Sequence, residues 1–83
     1  MTYYLVNNRQ PMLDPDKPHT ERFETERRAM RFATSLTAKR VDVIRWDEDK
    51  DAGEYVARGT ADNPIQYNGI KRSVRHTNRG AKQ

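Results

Sequence analysis

The sequence contains no cysteine, and this absence excludes disulfide bonds, thiolate zinc sites and catalysis by a cysteine nucleophile. Histidine is almost as scarce, because the chain has only His19 and His76, and neither has a ligand-type partner at short spacing. A zinc site needs several such ligands close together. The composition therefore predicts neither a metal site nor a cofactor.

Long apolar runs are also missing. The longest run near the start is Tyr3-Tyr4-Leu5-Val6, which is too short for a signal-peptide core or a membrane span. A chain of 83 residues makes one domain at most, and its apolar fraction of 34% is below the usual range. We expect a soluble cytoplasmic protein with a small folded centre and no contact with membranes.

Residues that could carry catalysis are few. Ser35 and Ser73 lack the spacing of a nucleophile elbow, and the four glycines form no phosphate-binding cluster. We therefore expect no enzymatic activity. A remote alternative is a metal-dependent nuclease, because Asp16 after a proline, followed by Glu48 and Lys50, matches in outline a Pro-Asp … Glu-x-Lys pattern. In nucleases with that pattern two carboxylates hold magnesium.

Negative charge is missing from the last quarter of the chain. All 12 acidic residues lie between Asp14 and Asp62, whereas residues 63–83 carry five basic residues and none that is acidic. Of the net charge of +4, this basic C-terminal segment therefore contributes +5 and the rest of the chain −1. Charge segregated in this way is typical of proteins that face a polyanion.

The pattern of apolar residues predicts four strands and one helix. The predicted strands cover residues 2–8, 19–24, 40–47 and 54–60. The first strand has apolar residues on both faces, which favours a central position in the sheet. The helix is predicted to begin after the N-cap Thr25 and to end near Leu36 or Thr37, because apolar residues recur there at every third or fourth position.

The connections carry the signals of turns and loops. Three prolines in residues 9–18 predict a loop without regular structure. Gly53 is expected to supply a positive φ in the turn between the last two strands. Asn68-Gly69 favours a second small hairpin, and disorder is predicted beyond Val74, where apolar residues are almost absent.

Together these elements predict an α+β fold. The order β-β-α-β-β is satisfied most simply by one small, mostly antiparallel sheet with a single helix on one face. We expect residues 1–62 to form a single α+β domain. Residues 63–83 are expected to form a basic C-terminal segment, with a short hairpin followed by disordered chain.

Basic residues are the best candidates for a binding site. An arginine-rich segment can neutralise phosphates, and a tyrosine beside it can stack on an exposed base. The candidate binding residues are Arg27, Arg28 and Arg31 on the helix, and Tyr67, Lys71, Arg72, Arg75 and Arg79 in the basic C-terminal segment. Two other interpretations stay open: the segment serves only solubility, and the helix arginines pair with Glu24 and Glu26.

Trp46 is the only tryptophan in the chain. A tryptophan on a strand is expected to lie in the core, because its ring buries a large apolar area. If it is exposed instead, it is expected to anchor an interface.

The chain resembles the anti-CRISPR inhibitors, small phage and mobile-element proteins that block host defence. Several of them are single domains of this size, without cysteine or catalytic motifs, with one helix against a small antiparallel sheet. The matching features are the opening strand, the Thr25-capped helix and the hairpin of the last two strands, within residues 2–60. The resemblance assigns no functional residue.

The resemblance implies a phage-type protein of the host cytoplasm that inhibits by occupancy. It would dock on a CRISPR effector complex and block the access of nucleic acid. Its partner would be a host protein or nucleoprotein complex with an acidic or nucleic-acid surface. The alternative function is that of a basic DNA- or RNA-binding accessory protein, which contacts the nucleic acid directly.

Overall fold

The computed structural model describes residues 1–66 and shows a four-stranded antiparallel sheet with one α-helix. The elements are β1 (Thr2–Asn8), β2 (Thr20–Phe23), α1 (Glu26–Ser35), β3 (Val41–Asp47) and β4 (Ala52–Arg58). The order of the strands across the sheet is β2-β1-β3-β4. The α+β class and the predicted order of elements are confirmed.

Strand β1 is central, as its apolar residues on both faces predicted. It pairs antiparallel with β2 on one side and with β3 on the other. Its register with β3 matches Thr2 to Asp47 and Asn8 to Val41. We call the end of the sheet near Thr2 and Asp47 the turn end, because the β3–β4 turn follows there. The opposite end, near Asn8 and Val41, is called the loop end.

Helix α1 forms where capping and apolar spacing agree. The Thr25 side chain accepts a hydrogen bond from the Arg28 backbone N–H, which satisfies a donor that the first turn would otherwise leave open. Ala29, Met30 and Ala33 form a buried stripe that packs on one face of the sheet. The core comprises Val6, Ala29, Met30, Ala33, Leu36, Ala38, Val41, Val43, Val56 and Ala57.

The loop of residues 9–18 is more ordered than its prolines predicted. Pro11–Leu13 forms one turn of 3-10 helix, which is compatible with proline at its first position. Gln10 Oε1 accepts hydrogen bonds from the Lys39 and Arg40 N–H groups at 2.9 and 3.2 Å. The prediction of no regular structure is therefore wrong for these residues, and the loop is fastened to the α1–β3 connection.

Asp14 provides the second fastening of this loop. Its two carboxylate oxygens accept hydrogen bonds from the Thr37 and Ala38 N–H groups, at 2.9 and 3.1 Å. These N–H groups, Thr37 first, hold the pKa of Asp14 below its usual value because they stabilise the ionised form. The carboxylate thus serves as a cap for the chain that leaves α1.

The β3–β4 turn differs from its prediction in one respect. The residue with positive φ is Asp51, at 51°, and not Gly53, which lies within β4. Aspartate tolerates the left-handed region because its short side chain fits there. Strand β4 consequently begins at Ala52, two residues earlier than predicted.

The described chain ends beside the core. Ile65, which follows Pro64, packs against the core cluster. The second hairpin predicted around Asn68-Gly69 and the disorder predicted beyond Val74 lie outside the described residues. Within residues 1–66, no helix has the length and apolar character needed to cross a membrane.

Candidate binding face

The sheet has one face that α1 covers and one that it does not. Strand alternation places Val6, Val43 and Ala57 under the helix, where all are buried. The side chains between them point to the other side. Within the described part of the chain, no helix or strand packs on that side, and we call it the open face.

The open face is organised in three cross-strand rows, which follow from the register of β1, β3 and β4. From the turn end to the loop end the rows are Tyr3–Trp46–Gly53, Leu5–Ile44–Tyr55 and Asn7–Asp42–Arg58. The first two rows are aromatic or aliphatic, and the third is polar. A register shift at Val43 and Ile44 places both Tyr55 and Arg58 on this face, although they are three residues apart.

Trp46 lies half-buried on the open face and is not part of the core cluster. The prediction that it belongs to the core is therefore wrong. A Cβ atom at position 53 would lie 2.7 Å from Trp46 Cε3 and 2.9 Å from Ile44 Cγ2. Gly53 is thus needed for space, because the indole ring lies directly against its backbone.

A shallow recess adjoins the tryptophan ring. Its volume is about 200 Å³. Its lining residues are Ile44, Trp46, Gly53, Glu54 and Tyr55. Tyr55 on the edge strand is 46% exposed, so its ring is accessible to a flat ligand.

Two arginines stack on tyrosines of the open face. The Arg22 Cζ atom lies 3.9 Å from the centre of the Tyr3 ring, and the Arg58 Cζ atom lies 4.4 Å from that of Tyr55. Both distances are within the range of cation–π attraction. The arginine side chains remain 47% and 52% exposed. Each guanidinium is therefore held by an aromatic ring and still reaches solvent.

Asp42 in the third row joins two arginines. Its side chain is only 4% exposed. One carboxylate oxygen accepts a hydrogen bond from Arg58 Nε at 3.2 Å, and the other accepts one from Arg9 Nη1 at 3.3 Å. We call Arg9, Asp42 and Arg58 the arginine–aspartate cluster. Its net charge is positive, and it lies at the loop end of the open face.

The predicted helix residues lie elsewhere. Arg27, Arg28 and Arg31 are exposed on α1, on the side of the protein opposite the open face. Their positions lie off the buried stripe of α1, on its solvent face. Glu24, one of their suggested partners, lies 3.9 Å from Arg22. Their role in binding stays a prediction.

The predicted residues of the basic C-terminal segment are Tyr67, Lys71, Arg72, Arg75 and Arg79, and all lie outside the described residues. The place from which the segment departs is nevertheless defined. Gly59 N donates a hydrogen bond to Val41 O at 2.8 Å, and a Cβ atom at Gly59 would lie 2.9 Å from Ile65 N. The described chain therefore approaches its last residue at the loop end.

The residues of the nuclease alternative do not come together. Asp16 belongs to the loop at the loop end, whereas Glu48 and Lys50 belong to the turn end. The seven-residue strands between these ends separate them by about 20 Å. Across residues 1–66, no group of three or more metal-binding side chains is present. The carboxylates of this pattern cannot share one magnesium ion in this fold.

The residues that sequence reasoning missed are those of the open face, chiefly Tyr3, Tyr55, Arg22 and Arg58. One signal was present in the sequence. A single helix covers only one face of a sheet, so apolar residues on both faces of a strand leave one apolar face uncovered. The partners on the neighbouring strands still required the register.

Residues 1–66 thus form a small α+β fold whose open face is aromatic and arginine-rich and is covered by none of the described helices or strands. No protein-family model, curated protein or solved structure matched the chain.

Proposed function

We propose that this protein is a non-enzymatic binding protein that takes up single-stranded nucleic acid on the open face. The observation that carries the proposal is the combination of aromatic rings with half-exposed, stacked arginines on the open face. Bases of a single strand stack on aromatic side chains, and arginines bind the phosphates between them. Tyr3, Trp46 and Tyr55 supply the rings, and Arg22 and Arg58 supply the charges.

The shape of the open face favours a single strand over a duplex. A four-stranded sheet offers a broad surface with a shallow recess, and no element projects from it in the described chain to enter a groove. A duplex keeps the faces of its bases stacked on one another. Only unpaired bases can lie against Tyr55 or Trp46.

The charge distribution favours a nucleic acid over an apolar protein partner. The guanidinium groups of Arg22 and Arg58 lie over the tyrosine rings, so a ligand that stacks on this surface meets positive charge. The basic C-terminal segment continues from the loop end and contains no acidic residue. Phosphates close to each base satisfy both features.

Inhibition of a host defence complex is compatible with this proposal and adds a partner to it. A protein that occupies single-stranded nucleic acid blocks the access of that strand to an effector, whereas the anti-CRISPR resemblance implies docking on the effector complex itself. A CRISPR effector as target and a phage as source remain part of the proposal. A basic accessory protein for DNA or RNA would use the same face.

The experiment is a titration with oligonucleotides, followed by the fluorescence of the single tryptophan. We expect an unstructured strand of about 12 nucleotides to change the emission of Trp46 and the same sequence as a duplex to bind far more weakly. Tyr55→Ala should weaken binding by about 5- to 150-fold, because stacking contributes about 1–3 kcal/mol per base. Met12→Ala is the control, since Met12 is 81% exposed and lies outside the open face.

A matched pair of charge variants tests which face binds. Arg22→Gln on the open face and Arg31→Gln on α1 each remove one exposed positive charge. The proposal expects only Arg22→Gln to lower both the affinity and its dependence on salt. Arg72→Glu with Arg75→Glu tests the basic C-terminal segment in the same assay.

Three results would contradict the proposal. If the wild-type protein binds neither DNA nor RNA single strands, the open face has another ligand. If Arg31→Gln weakens binding and Arg22→Gln does not, the helix is the interface. The third result comes from a pull-down of a host complex by this protein. If the complex is still captured after nuclease treatment, and if the Tyr55→Ala variant captures it equally well, the partner is a protein and not a strand.

A further inference from the structure

We propose that the arginine–aspartate cluster is a phosphate-binding site, which anchors the strand at the loop end of the open face. The inference rests on the proposed function and assigns a separate ligand group to Arg9 and Arg58. It starts from a nearly buried carboxylate that two half-exposed arginines share.

The cluster has hydrogen-bond donors left for a ligand. A guanidinium carries five N–H donors, and Arg9 and Arg58 each donate one of them to Asp42. The two side chains are 50% and 52% exposed, whereas that of Asp42 is 4% exposed. An anion that approaches from solvent therefore meets the two guanidinium groups and not the carboxylate.

The two arginines bring one positive charge more than this carboxylate needs. A buried aspartate needs a compensating charge, and a single arginine can supply it with two parallel hydrogen bonds. Here Arg9, which follows β1, and Arg58, at the end of β4, each donate a single bond. Asp42 thus fixes both arginine heads side by side before a ligand arrives, which lowers the entropy cost of binding an anion.

The position of the cluster matches the chemistry of a nucleotide. Arg58 contacts both Asp42 and the ring of Tyr55, so it connects the stacking surface to the cluster. A nucleotide carries its phosphate close to its base. A base stacked on Tyr55 therefore places the adjacent phosphate near Arg58.

The opposite end of the face is unsuited to phosphate. Four of the five residues 47–51 at the turn end are acidic. The N-terminal ammonium contacts one of them, Asp49, at 2.6 Å, and this contact neutralises only part of the charge. Phosphates are thus attracted to the loop end and repelled from the turn end, which gives the bound strand a fixed position along the face.

The test uses Arg9→Gln, because Arg9 stacks on no aromatic ring of residues 1–66 and Asp42 keeps Arg58 as its partner. Arg45→Gln is the matched control. Arg45 lies on β3, is 44% exposed and pairs with Glu54 at 2.5 Å, and its replacement by Gln changes the charge by the same amount as Arg9→Gln. Unfolding in urea, followed by circular dichroism, establishes that both variants are folded before binding is measured.

The probe is a set of single strands in which one phosphate at a time is replaced by a neutral methylphosphonate. For the wild-type protein we expect one position at which replacement weakens binding by roughly tenfold, the effect of one charge-assisted hydrogen bond. With Arg9→Gln, that position should lose its effect, whereas Arg45→Gln should preserve it. Arg9→Lys keeps the charge without the planar fork and should show a reduced effect at the same position.

The phosphate that binds the cluster is either an internal one or the one at the 5′ end of the strand. Strands with and without a 5′-phosphate distinguish these two sources. An internal site gives the same Arg9 dependence for both strands, and a terminal site gives it only for the phosphorylated one. The inference is overturned if Arg9→Gln and Arg45→Gln change the methylphosphonate profile equally. Equal effects of Arg9→Gln and Arg45→Gln would exclude the phosphate site only. The proposed function would still hold if the wild-type protein binds single strands and Tyr55→Ala weakens that binding.

Discussion

The close contact between Gly53 and Trp46 makes Gly53→Ala the sharpest test of how the open face is built. The added Cβ would lie 2.7 Å from Trp46 Cε3 and 2.9 Å from Ile44 Cγ2, whereas ordinary van der Waals contacts lie at 3.4–4 Å. Both neighbours are ring or branched atoms close to their own backbones. The tryptophan ring or strand β4 must therefore move.

The expected cost combines two opposing effects. Overpacking a filled site costs about 1–3 kcal/mol. Replacement of glycine by alanine in a strand stabilises by about 0.4–1 kcal/mol, because the unfolded chain loses freedom. Gly53 has no positive φ, so backbone strain adds nothing to the cost. We expect a net loss of about 1–2 kcal/mol, which lowers the Tm by roughly 4–16 °C for a domain of this size.

The assay is urea unfolding, followed by far-ultraviolet circular dichroism. Tryptophan fluorescence is not used, because the variant also perturbs the surroundings of Trp46, the only tryptophan. In a Trp46→Ala background the same Gly53→Ala change should cost less than half as much, because the nearer of the two contacts is gone. The reasoning is refuted if Gly53→Ala is as stable as the wild-type protein, or if its cost is unchanged in the Trp46→Ala background.

Two further predictions concern the positions that fix α1 and the proline-containing loop. Thr25→Ala should destabilise the fold by about 1 kcal/mol, because the Arg28 N–H loses its acceptor, and Thr25→Ser should not; urea midpoints measure both. The pKa of Asp14 is lower in the folded state than its ordinary value of 3.8. Its carboxylate therefore stabilises the protein at pH values above 3.8, and this effect is lost as the pH falls through the folded-state pKa. Below pH 3.8, the free energy of unfolding should therefore fall more steeply with acidification in the wild-type protein than in Asp14→Asn. Parallel curves of urea midpoint against pH for the two proteins would contradict this.

The helix and the central strand could be predicted because their signals are local. The cap at Thr25 and the apolar spacing that follows it lie within one short segment, and the helix ends within two residues of the prediction. Strand β1 was predicted with the bounds that the structure shows, Thr2–Asn8. The α+β class follows from the order of such segments, since only a few ways of packing one helix on four strands are available.

The open face could not be predicted because it depends on contacts between distant segments. Tyr3 and Trp46 become neighbours only through the register of β1 with β3. The reason for glycine at position 53 is the ring of Trp46 on the adjacent strand, and the sequence alone suggested a turn instead. The stacking of Arg22 on Tyr3 likewise needs the register of the outer strand β2.

Two features of the protein, its positive charge and the aromatic rows of its open face, together limit the class of its ligand. The sequence concentrates positive charge in the basic C-terminal segment, and the structure places the described start of that segment at the loop end, which also holds the arginine–aspartate cluster. An acidic protein surface would explain the charge but not the aromatic rows, and an apolar protein surface would explain the rows but not the arginines stacked on them. A single strand of nucleic acid offers phosphates and base faces at a spacing of one nucleotide. It is the ligand class that uses both features at once, and for this reason the proposal names a strand in preference to a protein surface.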